Sequence, residues 1–239
     1  MIKFLLKIAG CFWGAMFLFS CDSGDIYPKE YEGNGGITVA ATFVFDNTDA
    51  FPNDYPLIFG AFGNKQSIPL ASVRVMKPKN NEPVKVSIDN LTPDATSIML
   101  CLTNLGRQPV FTLFEEDINV DAARDSIIIP EAQICLVSYE RIQRLIFEQY
   151  TCVSCHQGTT GAGNLLLTED KSYNELVNKV SSKNPAKNRV TPYNIYNSFL
   201  LDILEDDNLG MTQPHKAFVT RNDDDIVIIK EWIKNGCVR

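Results

Sequence analysis

The sequence predicts a multidomain chain, an all-β sandwich followed by an all-α unit. Three observations carry this expectation. Residues 37–137 hold roughly seven short apolar runs divided by turn residues, the spacing of a sandwich. From residue 138 the apolar positions change from a period of two to a helical period. The charge changes at the same place: residues 21–137 carry 16 acidic and 8 basic side chains, and residues 138–239 carry 13 and 12. An acidic part followed by a nearly neutral one points to two units of different origin.

The N-terminus reads as an address. Met1 to Lys7 carries two lysines, a short apolar run follows from Ile8 to Phe19, and Ser20-Cys21-Asp22 closes it. A basic start, a brief apolar core and a small residue at the cut describe a secretory signal, and the run is short for a full membrane span. Leu18-Phe19-Ser20-Cys21 resembles a bacterial lipobox, which implies a signal peptide over 1–20 and lipidation of Cys21. Loss of Lys3 and Lys7 moves the formal charge from -7 to -9. With no basic run anywhere, nucleic acid is excluded as a partner. Residues 21–36 read as a flexible, glycine-rich tether behind the lipid. Export permits disulfides. Beyond Cys11, Cys21 and the motif below, Cys101, Cys135 and Cys237 remain, and Cys135 with Cys237 is the expected pair because they bracket the second unit.

The β part spans 37–137. In "ITVAATFVF", Ile37, Val39, Ala41 and Phe43 alternate toward one face. "YPLIFGAF", "LASVRVM", "VKVSI", "SIMLCLTNL", "VFTLFEEDINV" and "SIIIPEAQICLV" follow, with turns at Asn53-Asp54, Lys79-Asn80-Asn81 and Thr92-Pro93-Asp94. Glu115-Glu116-Asp117 reads as a solvated edge. Nothing here is catalytic, and the sandwich (Ig-like or transthyretin-like) reads as a spacer or docking module.

The second part spans 138–239. "SYERIQRLIFEQY" sets Tyr139, Ile142, Leu145, Ile146 and Gln149 on one helical face, with Glu140 at the positive end of the dipole. This helix is expected to run straight into Cys152-Val153-Ser154-Cys155-His156. At the far end "NDDDIVIIKEWIKNG" predicts a helix capped by Asn222, with Ile226, Ile229, Trp232 and Ile233 buried and Asn235-Gly236 as the stop.

The motif carries the chemistry. Cys-x-x-Cys-His is the attachment signature of c-type haem: two thiols spaced to meet two vinyl groups, and a histidine placed to ligate the iron. A zinc site would want four ligands, and beyond Cys152, Cys155 and His215 none is evident. A thioredoxin-like pair would want a βαβ context, whereas a helix precedes. A haem c electron carrier needs a sixth ligand. Met211, in "LGMTQPHKAF", is the methionine left between His156 and the last helix, and His215 is its rival.

Residues 138–239 resemble bacterial class I cytochrome c domains of the planctomycete type. The resemblance rests on the leading helix, on Cys152, Cys155 and His156, and on Gly163, Leu165 and Leu167. It extends to Tyr173, Leu176 and Val177, to Val190, Pro192 and Ser198-Phe199-Leu200, and to Met211 and the closing "IKEWIKNG". Thr212 stands where that family has proline. The resemblance implies an all-α cytochrome c domain around one haem, with His156 and Met211 on the iron. The expected role is therefore a membrane-tethered c-type cytochrome that passes single electrons between redox partners of the cell envelope. It makes no bonds of its own. The alternatives are a peroxidase-like haem enzyme with an open sixth position, and a haem- or zinc-containing binding or sensor lipoprotein.

Overall fold

The computed structural model describes residues 36–79, 82–219 and 223–239. The expected signal peptide, Cys11, the expected lipidation site at Cys21, the expected tether up to residue 35, Asn80-Asn81 and the expected cap at Asn222 lie outside the described residues. Among the described residues no helix is long and apolar enough to cross a membrane.

Two four-stranded sheets face each other. The first joins β1 (Ile37–Asp46) to β4 (Pro83–Leu91), β7 (Ser126–Ile128) and β8 (Ala132–Cys135); the second runs β3 (Ala71–Arg74), β2 (Leu57–Gly63), β5 (Ala95–Thr103), β6 (Pro109–Asp117). The alternation read in β1 is the core face: Ile37, Val39, Ala41 and Phe43 are buried. Phe43 meets Phe59 of β2 edge-on at 5.7 Å and Phe114 of β6 at 5.5 Å, so its ring joins the two sheets. Each such burial stabilises by about 1.5–3 kcal/mol. One expected strand becomes two at Pro130, which cannot donate to a ladder. β7 and β8 then lie parallel to β1 in succession, on Thr38–Ala40 and on Phe43–Asp46. Pro83 is tolerated because β4 is an edge. Glu115, Glu116 and Asp117 are exposed at the end of the edge strand β6.

The expected fold class, an all-β sandwich followed by an all-α cytochrome c domain, does not hold. Residues from Gly35 to Arg239 cluster as one compact unit of mixed strands and helices. Its helices are α1 (Tyr139–Ile142), α2 (Cys152–Cys155), α3 (Ser172–Leu176), α4 (Phe199–Glu205), α5 (Lys216–Val219) and α6 (Asp223–Lys234). Of these α6 alone exceeds two turns by itself, and α1 runs on into a π-helical stretch. Between α3 and α4 the chain is tied by isolated bridges at Val177–Val190, Val180–Asn188 and Asn188–Ser198, with one short 3-10 turn at Ile195–Asn197. The cause is local: Asn178, Pro185, Asn188 and Pro192 interrupt this segment, and these residues favour turns. The described residues hold three hydrophobic clusters: one inside the sheets, one around Tyr139, Ile142, Leu176, Leu201, Ile229, Trp232 and Ile233, and a small one of Ile58, Phe62 and Cys101.

α1 begins as expected, with the Ser138 hydroxyl accepting from the Arg141 amide at 3.1 Å. It then widens into a π-helical stretch over Gln143–Glu148. The wider turn brings Gln143 and Phe147 inward and leaves Gln149 exposed, contrary to the 3.6-residue expectation. α6 is closed by a Schellman turn. The Cys237 amide donates to the Trp232 carbonyl at 2.9 Å and the Gly236 amide to Ile233 at 3.1 Å. Gly236 has φ +83, and a Cβ there would stand 2.3 Å from the Tyr193 ring. The expected Cys135–Cys237 disulfide is absent: Cys237 is buried in this turn, whereas Cys135 is exposed, its thiol donating to the Val137 carbonyl at 3.1 Å.

A polar seam joins the strands to the helices. Arg141 is buried, and its Nη1 donates to the carbonyls of Ala50 at 3.0 Å and Leu136 at 2.6 Å. The amide and side chain of Asn53 both donate to Asp224. Tyr150 donates to Asp225 at 2.6 Å. Burial pushes the Asp225 carboxyl up to about 6, against the Tyr150 hydrogen bond, with Asp54 adding to the rise and Arg141 opposing it. Its folded value lies above the ordinary carboxylate value. The stability it contributes is therefore complete below about pH 4 and is lost as pH rises through about 6. Asp225→Asn is expected to remove this slope, roughly 2 kcal/mol between pH 4 and 7. Urea denaturation across that range checks it; an unchanged slope would contradict it.

Candidate cofactor-attachment site

The site starts where the first helical stretch ends. Thr151 adopts a left-handed conformation, φ 58, so the chain turns before the motif instead of running into it. α2 then winds Cys152 to Cys155 into one turn, which places side chains three apart on the same face. Cys152 and Val153 pack partly against the helical cluster, while Cys155 is exposed. Both thiols are free. Burial pushes the Cys152 thiol up to about 11. Reactive redox pairs depend on a lowered thiol pKa, so this environment speaks against a thioredoxin-like role. Nor does the surrounding chain form the βαβ unit such a pair occupies.

His156 caps this turn. Its amide donates to the Cys152 carbonyl at 3.1 Å, and its carbonyl accepts from the Leu167 amide at 2.7 Å. Its Nδ1 lies 3.2 Å from the Leu165 carbonyl. A carbonyl can only accept, so Nδ1 carries the proton and Nε2 keeps a lone pair. Burial, foremost, lowers the His156 pKa, and the neighbouring His215 adds to that. Both features present a neutral imidazole, the form that binds a metal.

The segment from Gln157 to Leu167 folds back to make this contact. Gly161 has φ 63 and ψ 168, a region essentially reserved for glycine, and a Cβ on it would stand 2.1 Å from the Leu165 oxygen. Three side chains hold the segment. Arg189 Nη2 donates to the Asn164 carbonyl at 2.6 Å while its Nη1 pairs with Glu175 at 2.8 Å. Ser182 donates to the Gly163 carbonyl at 2.9 Å. Gln143, buried by the π turn, donates to the Leu167 carbonyl at 3.0 Å and accepts from Ser172 at 2.8 Å. Gln143, Ser182 and Arg189 escape sequence reasoning because each acts through a backbone carbonyl distant along the chain, and Gly161 because its role is a backbone conformation. The three glycines of "GTTGAG" are the available signal.

Met211 and His215 share the loop between α4 and α5. Met211 is half-buried. The residue that the fold brings to His156 is His215: the ring centroids are 6.1 Å apart, at 45°. His215 Nδ1 is buried and has no hydrogen-bond partner. Among the described residues no three His, Cys, Asp or Glu side chains converge as a structural zinc site requires. A c-type haem asks less of the donors, because the sulfurs bond to the porphyrin and only the histidine meets the iron. A free Nε2 on His156, two thiols on one turn before it, and a neighbouring imidazole whose buried Nδ1 has no partner fit such a group.

No known protein family, curated protein or solved structure matches this chain.

Proposed function

We propose that the protein is a membrane-tethered electron carrier with one covalent haem c. The observation that carries this reading is the local geometry of His156, whose Nδ1 is held on the Leu165 carbonyl directly behind two thiols on one helical turn. Cys152 and Cys155 would hold the haem through thioether bonds, and His156 Nε2 would ligate the iron. Haem bound there supplies a one-electron iron couple. The chain's own residues orient the ligand: Leu165 fixes the imidazole tautomer, and Gly161, Gln143 and Arg189 fix Leu165 and its flanks. A hydrogen bond behind a metal-bound imidazole raises its basicity. The lipid on Cys21 would keep the carrier at a membrane of the cell envelope. The acidic surface would steer it toward basic or neutral redox partners.

The test is the full chain co-expressed with a c-type haem maturation system. The wild type is expected to stay coloured on a denaturing gel, and Cys152→Ala/Cys155→Ala to lose all of that colour. A double variant as coloured as the wild type would overturn the reading.

A further inference from the structure

We infer that His215, rather than Met211, closes the sixth position of the iron, so that the carrier is a bis-histidine centre. This rests on the haem reading above and deepens it.

The sequence leaves two donors in one loop, and the fold separates them. His215 is the side chain placed opposite His156, with ring centroids 6.1 Å apart. Two imidazoles that shared one metal atom, each bonded at about 2.0–2.1 Å, would hold their centroids roughly that far apart. The rings are neither stacked nor hydrogen-bonded to each other through His156 Nδ1, which the Leu165 carbonyl occupies. His215 Nδ1 is buried without a partner. A buried polar atom left unpaired costs about 1–3 kcal/mol, and such an exception asks for an explanation. A ligand between the rings supplies one. Met211 has no comparable signature: it is half-buried in the same loop, and Thr212 follows it in place of a stiffening proline. Methionine ligation raises a haem potential relative to histidine, so the choice sets the carrier's working range.

The experiment uses the matured full chain, with haem retention on a denaturing gel checked first. The ferric spectrum of the wild type is expected to be low-spin and to lack the weak long-wavelength band that a methionine sulfur produces. Met211→Ala should leave spectrum and midpoint potential unchanged. His215→Ala should turn the iron high-spin, with added imidazole restoring the low-spin spectrum, and His215→Met should raise the potential. Free imidazole would not repair a merely structural loss. A wild-type sulfur band abolished by Met211→Ala, or a high-spin wild type indifferent to both substitutions, would overturn the inference while leaving the haem reading intact. A chain without retained haem would overturn both.

Discussion

Trp232→Ala is expected to cost about 3–5 kcal/mol of folding stability, the largest loss from any single side chain considered. Trp232 is 1% exposed on α6. Its ring lies 5.1 Å from Tyr139 and 6.3 Å from Tyr173, so it links the first helical stretch, α3 and the last helix. Its Nε1 donates to the Val238 carbonyl at 2.9 Å, which holds the C-terminal residues on the core. Truncation would leave a cavity where three elements meet and strip a hydrogen bond from the chain end. Trp232→Phe keeps most of the ring contact and loses the hydrogen bond, so it should cost only about 1 kcal/mol. Guanidinium denaturation of both variants checks the ordering; equal losses would show that the ring packing is not what stabilises this cluster. A domain with about 5–15 kcal/mol in hand would survive the phenylalanine but come close to unfolding with the alanine.

Gly161→Ala is expected to be the most damaging small substitution near the motif. The backbone region that Gly161 occupies costs other residues about 1–3 kcal/mol, and the added methyl would collide with the Leu165 oxygen at 2.1 Å. That oxygen is backbone and cannot swing aside. Relief would move the carbonyl that fixes His156 Nδ1. The variant should therefore lose stability and, when matured, show a lower haem yield than the wild type. Gly158→Ala separates strain from collision, because Gly158 has φ +82 but open space where its Cβ would stand. It should lose stability without a comparable loss of haem yield. If both variants matured equally well, the Leu165 carbonyl would not be what positions His156.

The sequence and the structure agree where a short-range rule decides. The alternation in β1 survives because a strand with one buried face has no other register available. Gly236 marks the end of α6 through contacts that reach only a few residues. Agreement fails where tertiary demands choose among local options. The apolar positions of residues 139–149 fit a 3.6-residue helix, yet Gln143 and Phe147 are buried along with Ile142, Leu145 and Ile146, and the stretch takes the wider π turn. The all-α expectation fails for a related reason. A resemblance carried by scattered motif residues says little about the long segments between them, and those segments fold as turns and isolated bridges. In the candidate site, Cys152, Cys155 and His156 are legible as a spacing. Their support is not, because it comes from main-chain groups of Leu165 and Leu167; His215 is legible as a donor, but its place beside His156 is not.

The most direct test of the haem reading is the intact mass of the denatured wild-type chain after co-expression with a c-type maturation system. The expected result is a chain heavier by one haem, through bonds that survive unfolding. A mass equal to the bare polypeptide, or to one with Cys152 and Cys155 joined as a disulfide, would contradict it.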